Sequence, residues 1–414
     1  MSAAKSARRE TVMRQKGCAV PLLNSIRARL VARAFPGNLD VDLTPILCHF
    51  LSGFFDPVAA SAGFRADLAC VPVCAPGFTP PQEKKLQGGP LKASIRATAV
   101  LLFAIAVLAI AQPSRAASCD RACLDKTVDN YLAALVAHDP SRVKFAPNVQ
   151  FVENIVPMKP GDGLWKTASA APTTFKIYVP DPVSEEVGFV GVMQENDKPI
   201  ILGLRLKVRD GKIVEAEHII ARNLPERSLK NLQTPRPGLL ATVPPSERVP
   251  RAQMLTIGAS YYQALVSADA NNAPFADDCV RRENGMQTTS NPPPDKPGFA
   301  SLGALGCAAQ LKTGTFNYIK RIEPRRVEIA DPETGLVMGL SQFRHPMVEK
   351  TYKITGVPGV DHNDLNIKPF DMVAVHIFKV KDGKMHEIEA MGFTLPYNSK
   401  TGWPKYDAQL SSKP

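Results

Sequence analysis

The chain of 414 residues contains no GxxxxGK[ST] loop, no GxGxxG fingerprint, no GxSxG elbow and no HExxH pair. Phosphoryl transfer, nicotinamide chemistry and zinc proteolysis therefore lose their usual sequence supports. Cysteine is scarce, with eight in all and only Cys119, Cys123, Cys279 and Cys307 beyond residue 116. CxxxC with no second close pair and no HxxxH is poor spacing for a metal, so an even number of cysteines reads first as a disulfide set. The chain also lacks a basic folded region. Its net charge of +11 comes largely from residues 1–116, which hold 14 of the 50 Lys and Arg but only 6 of the 39 Asp and Glu. The rest is close to neutral, which withdraws the main support for nucleic acid as a partner.

No apolar run is read as a stable membrane span. Lys92 and Arg96 precede a 15-residue uncharged stretch, Ala97 to Ala111, and then Ser114-Arg115-Ala116 supplies small residues around a cleavage point. These are the three parts of a secretory signal (91–116), with a core too short to span, and they predict a secreted or periplasmic protein cleaved near Ala116. An uncleaved N-terminal anchor is the alternative. Residues 1–90 show no sustained period and read as a disordered or upstream extension. Gln87-Gly88-Gly89 could be encoded by a purine-rich run like a ribosome-binding site, with Leu91 as the start. Export suits disulfides: Cys279 and Cys307 bracket the insertion NPPPDKPG, a closure worth about 3 to 4 kcal/mol on the chain-entropy model. Cys119 and Cys123 are close enough in sequence to pair with each other, and the connectivity stays open.

What is present is a repeat. NYLAALVAHDPSRVKFAPNVQFVEN (130–154) returns without a gap as SYYQALVSADANNAPFADDCVRREN (260–284), and LKVRDGKIVEAE (206–217) returns as FKVKDGKMHEIE (378–389). The chain thus divides into a first domain, 117–232, a Pro-rich linker, 233–250, a second domain, 251–400, and a tail, 401–414, read as loosely held. Helical spacing over 120–137 and 252–268 opens each domain, and alternating segments with Asp-Gly hairpins at 210–211 and 382–383 follow. The element order gives an α+β fold class, and the resemblance that follows implies two tandem cone-shaped domains, each a bent antiparallel sheet wrapped around its N-terminal helix.

On that element order, the DP…F…EN motif and the DGK hairpin, residues 117–400 resemble the nuclear-transport-factor-2-like superfamily. Its members include ketosteroid isomerases and polyketide-cyclase-like proteins, and the chain looks especially like uncharacterised exported proteins carrying the domain in tandem. The resemblance implies a pocket between helix and sheet in each repeat, a small-molecule ligand, carboxylates, Tyr or His as the working groups, and no metal or cofactor. A covalent pseudo-dimer of the two sheets is a further arrangement it implies. Where the isomerases carry a catalytic Asp, this chain has Glu153-Asn154 and Glu283-Asn284; either the glutamate takes the role or the role is absent.

The hairpins add an independent reading. A two-residue Asp-Gly loop sets His376 opposite Glu389 and Phe378 opposite Glu387, and likewise Leu204 opposite Glu217 and Leu206 opposite Glu215. A carboxylate on an apolar face has a raised pKa unless it is paired, as acid–base catalysis near neutrality requires. Glu389, His376 and Glu283 are thus the catalytic candidates, with Asn284, Tyr261, His345, Arg282, Glu217 and Glu153 as ligand-binding candidates. Tyr131 and Tyr261 also suit the helix core, and Arg281, Arg321, Arg325 and Arg326 suit either a solvated face or an anion. Three functions remain open: a binder of a small, largely apolar molecule, a metal-independent lyase, isomerase or hydratase, and a structural module with filled cones.

Overall fold

The computed structural model describes residues 119–411. The 1–90 stretch, the signal segment and its cleavage point at Ala116 lie outside the described residues. Among those described, no helix is long and apolar enough to cross a membrane.

The first half opens with helix α1 (Arg121–Val136) and continues through β1 (Phe145–Glu153), β2 (Val156–Met158), β3 (Ala168–Ala170), β4 (Lys176–Asp181), β5 (Glu186–Glu195), β6 (Lys198–Arg209) and β7 (Lys212–Ala221). Asp120 caps α1, its side chain accepting from the Cys123 N–H at 2.9 Å. The repeated aspartates of the sequence have the same kind of local task. Asp139 accepts from the Ser141 N–H at 3.0 Å and Asp269 from the Asn271 N–H at 2.9 Å, each capping a single helical turn between the long helix and the first strand.

In the second half, helix α2 (Arg251–Ser267) leads into β8 (Phe275–Glu283), β9 (Met286–Gln287), β10 (Arg321–Asp331), β11 (Leu336–His345), β12 (Thr351–Val357), β13 (Val360–Asp364), β14 (Phe370–Lys381) and β15 (Lys384–Pro396). The strands β12 and β13 form a small separate hairpin, packed on Leu302 of the insertion. Both cysteine pairs are joined, Cys119 to Cys123 and Cys279 to Cys307, and the second lies within the core of its cone.

The two main sheets run β2-β1-β7-β6-β5-β3, with β4 also on β5, and β10-β11-β14-β15-β8-β9. Each is mixed rather than wholly antiparallel, because the first strand pairs in parallel with the last: β1 with β7 and β8 with β15. That pairing is long-range and leaves no local sign in the chain. Leu124, Val128, Tyr131 and Leu135 of α1 pack on Leu202, Leu204 and Leu206 to fill the first cone. In the second, Met254, Tyr261, Tyr262 and Leu265 of α2 pack on Val337, Phe378 and Ile388.

The outer faces of the two sheets pack against each other. Ile177, Val190, Ile201 and Ile219 from the first meet Met338, Leu340, Val375 and Ile377 from the second in one buried cluster, so the chain is its own pseudo-dimer. A Cβ at Gly188 would fall 2.1 Å from Met338 Sδ, so the Met338 side chain occupies the space that the missing side chain leaves between the sheets. The Pro-rich connection is docked and not a free linker: Leu239 is fully buried, and Arg236 donates to the carbonyls of Val280 at 3.0 Å and Ile388 at 2.9 Å. The tail likewise corrects the expectation of a loose end. Trp403 is fully buried, and helix α3 (Pro404–Ser411) sets Trp403 and Tyr406 over Arg205 and Arg326.

Candidate functional site

A single extra residue in each hairpin decides which side chains enter the cones. Next to the Asp-Gly turns the registers follow the simple pairing, Val208 with Ile213 and Val380 with Met385. One step further they slip, to Lys207 with Glu215 and Lys379 with Glu387, leaving Val214 and His386 as the extra residues. A one-residue bulge sends every later side chain to the other face. His376 therefore lies opposite Ala390, not Glu389, and Leu204 opposite His218, not Glu217. The expected His376–Glu389 pair does not exist, and Glu217 leaves the set of pocket residues.

In the first cone the face change brings in His218, which the sequence reading missed. Its Nε2 meets the Tyr131 hydroxyl at 2.9 Å and its Nδ1 meets Glu153 Oε2 at 3.1 Å; all three residues are buried. Glu153 also accepts from the Leu164 N–H at 2.9 Å. A Cβ at Gly163, whose φ is +65°, would fall 2.5 Å from Glu153 Oε1, so the turn at Gly161–Gly163 serves as the cradle of this carboxylate. Burial pushes the Tyr131 hydroxyl far up, which keeps it a donor, and a proton on Nδ1 then completes the chain Tyr131 to His218 to Glu153. Trp165 packs edge-on to Tyr131 at 5.2 Å, and Phe151 edge-on to His218 at 4.8 Å. The triad fills this part of the first cone, while a cleft of about 420 Å³ lined by Asn130, Tyr131, Arg142, Val208 and Ile213 among others opens along α1.

The second cone keeps two of the three. Tyr261 and Glu283 stand where Tyr131 and Glu153 stand, but Ala390 takes the place of His218. The backbone proves the equivalence: the Asn154 N–H donates to the His218 carbonyl and the Asn284 N–H to that of Ala390, each at 2.9 Å. A cavity of about 200 Å³ opens there, lined by Tyr261, Glu283, Asn284, His345, His376 and Ala390 among others, with Phe316, Tyr318, Phe343, Met372 and Met391 as its apolar wall.

Five candidates thus share one cavity. Glu283 is half-exposed at its edge and paired with Arg281 at 2.8 Å. Asn284 sits at φ +46°, and its side-chain amide clamps Gly392, donating to its carbonyl and accepting from its N–H, both at 3.0 Å. The Tyr262 hydroxyl lies 3.1 Å from His376 Nδ1. Burial pushes His376 down to about 3 and His345 down to about 4.

The remaining candidates lie elsewhere. Alternation along β8 turns Arg282 away from the cavity; it donates to the Asn231 carbonyl at 3.3 Å, and its neighbour Arg281 takes the inward position. Glu217 is buried between the sheets, bridged by both Nη atoms of Arg326 at 2.6 Å and by Arg205 Nε at 3.2 Å. Arg326 does bind a carboxylate, but one of its own chain. Among the described residues no group of three His, Cys, Asp or Glu could hold a metal ion.

Glu389 lies on the outer face of its sheet, under Arg236, whose Nη2 is 3.2 Å away. Burial pushes its carboxyl up to about 7, against the pull of Arg236 and Arg282. A carboxyl raised in this way favours the folded state while it is protonated. Its contribution is complete below about 4.5 and is lost as pH rises through about 7. Glu389→Gln is therefore expected to flatten the fall in stability from about pH 5 to about pH 8 in urea unfolding. A profile as steep as the wild type's would refute this.

A long helix, one helical turn, and a curved mixed sheet whose concave face the helix covers occur twice, with polar side chains meeting under each helix. Each half has the cone-shaped α+β architecture that the sequence leads one to expect, a helix laid on a curved sheet. A family model described as a domain of unknown function (DUF8021) matches residues 247–392, the second cone. No curated protein matches the chain. Among solved structures, a loop-truncation variant of IdmH is 18% identical, covering 23% of this chain and 91% of its own, with a TM-score of 0.19. A protein described as a SnoaL-like polyketide cyclase from Jannaschia sp. CCS1 is 14% identical over 36% and 90% of the two chains, with a TM-score of 0.21. AclR from Streptomyces galilaeus, described as a hydroxylase, is 13% identical over 40% and 89%, with a TM-score of 0.22.

Proposed function

We propose that this is an exported binding protein whose second cone holds a small, largely apolar molecule and whose first cone supports it. The observation that carries this reading is the exchange of His218 for Ala390. The position that an imidazole fills in the first cone borders a cavity of about 200 Å³ in the second. Aromatic and aliphatic walls with a few placed polar groups are the usual make-up of a ligand site.

Binding is favoured over acid–base catalysis by the state of the two histidines. A general base works best with a pKa near the operating pH. With His376 near 3 and His345 near 4, both imidazoles remain uncharged and are weak bases at neutrality. The Cys119–Cys123 and Cys279–Cys307 bonds agree with an oxidising compartment, and so with the proposed export.

Native mass spectrometry of the full chain, produced with export and compared before and after denaturation, tests the reading. A non-covalent mass that disappears on denaturation is the expected result. Empty protein that also takes up no small aromatic compound would overturn it.

A further inference from the structure

The cleft along α1 differs from the second cavity in its charge. Lys126, Arg142 and Lys144 line it, all three exposed, and no Asp or Glu is among its lining residues. No ion pair joins any of the three to an acid of the described residues. The acids of the helix are engaged elsewhere. Asp125 lies beside Arg121, and Asp129 accepts from the Tyr178 hydroxyl at 2.6 Å, whereas Lys126, Thr127 and Asn130 share the face that borders the cleft. Asp139, the acid beside Arg142, accepts from the N–H and the hydroxyl of Ser141, at 3.0 and 2.6 Å.

The scaffold does not require these cations. The repeat runs at a constant offset, and at that offset Lys126, Arg142 and Lys144 correspond to Thr256, Asn272 and Pro274 in the second half, all uncharged. Three like charges around one opening, without an acid in its lining, favour an anion. Arg142 adds a planar fork that matches a carboxylate, and the two lysines add point charges. The cleft is also partly apolar: Val143, Val208 and Ile213 line it, the last two from the β6–β7 hairpin. Its volume of about 420 Å³ falls within the range of small-molecule sites. A bare ion would leave the apolar part in water, whereas a charged head with an apolar body covers it.

We propose that the cleft along α1 binds an amphipathic carboxylate, its head among Lys126, Arg142 and Lys144 and its apolar body over Val143, Val208 and Ile213. This second site goes beyond the reading of the second cone and does not rest on it, since neither Lys nor Arg lines the cavity there.

The full chain is titrated by calorimetry with octanoate, 1-octanol, octylamine and acetate at low ionic strength, and the alkyl probes are repeated at higher salt. Octanoate is expected to bind at least about tenfold tighter than 1-octanol, with octylamine the weakest of the alkyl probes and acetate far weaker than octanoate. Added salt should weaken octanoate and leave 1-octanol in place. When Lys126→Gln, Arg142→Gln and Lys144→Gln are combined, octanoate should fall to the affinity of 1-octanol, which should bind as before. All three side chains are exposed, so the fold should hold. Equal binding of octanoate and 1-octanol to the wild type would overturn the role of the cations. Octanoate binding that survives the triple substitution would place the ligand outside this cleft. Acetate bound as tightly as octanoate would overturn the apolar body, and failure of octanoate to bind would remove the site. The wild-type comparisons decide the matter even if the triple variant does not fold.

Discussion

Glu217→Gln should destabilise the protein by about 3 to 5 kcal/mol in urea unfolding at neutral pH, although the residue has no place in either cone. Its carboxylate is the shared anion of two buried guanidiniums, Arg326 from the second half and Arg205 from the first. Arg205 keeps Glu186 and Glu215 when Glu217 is neutralised, whereas both Nη atoms of Arg326 bond to Glu217. Removing that charge leaves a cation between two sheets with nothing to balance it. Trp403, over Arg205, and Tyr406, over Arg326, seal the cluster from water, so screening does little to soften the loss.

The pH dependence carries its own sign. Burial pushes the Glu217 carboxyl up, but Arg326 and Arg205 outweigh burial and hold it at about 2. A depressed carboxyl stabilises the folded state above its unfolded value of about 4.5, and that stability is lost as pH falls toward about 2. The gap between wild type and Glu217→Gln should therefore be widest at neutral pH and close through that acid window. A gap that is absent at neutrality, or constant with pH, would show that the two halves are held by their apolar faces alone.

Glu217 also shows where the sequence was legible and where it was not. Helical and alternating periods reveal both long helices, most strands and the tandem order, because those patterns are local and repeat every few residues. The two bulges are equally local but carry no signature: Val214 and His386 are ordinary strand residues, and nothing about them announces that they lack a partner. Reading through them puts Glu217 and Glu389 inside the cones and leaves His218 outside. Alternation from the other end of each strand could have found the slip, since Ile220 and His218 must share a face and Ile220 belongs to the first core. The meeting of Glu153 with His218 was beyond reach, because it depends on the parallel pairing of β1 with β7. Glu283, Asn284, Tyr261 and His345 do converge on one cavity, since each was placed by its own strand or helix, and His376 joins them although the hairpin pairing that singled it out was off by one residue.

The exchange of His218 for Ala390 should be reversible by design, in opposite directions in the two cones. His218→Ala removes a ring packed edge-on against Tyr131 and Phe151 and takes away the hydrogen bonds it makes to the Tyr131 hydroxyl and to Glu153. Cavity and unsatisfied polar groups together predict a loss of about 3 to 5 kcal/mol. The hole has the shape of the lost side chain, so free imidazole should raise the melting temperature of His218→Ala and leave that of the wild type unchanged. Ala390→His should do the reverse in the second cone. It inserts an imidazole between Tyr261 and Glu283, at the backbone position where the first cone already carries one, so the fold should hold while uptake of a small aromatic compound is lost. If Ala390→His folds and still takes up such a compound as the wild type does, the guest lies elsewhere in the molecule. If imidazole fails to stabilise His218→Ala, the first cone has collapsed around the gap, and it is rigidity of the sheet rather than a ring-shaped vacancy that distinguishes the two halves.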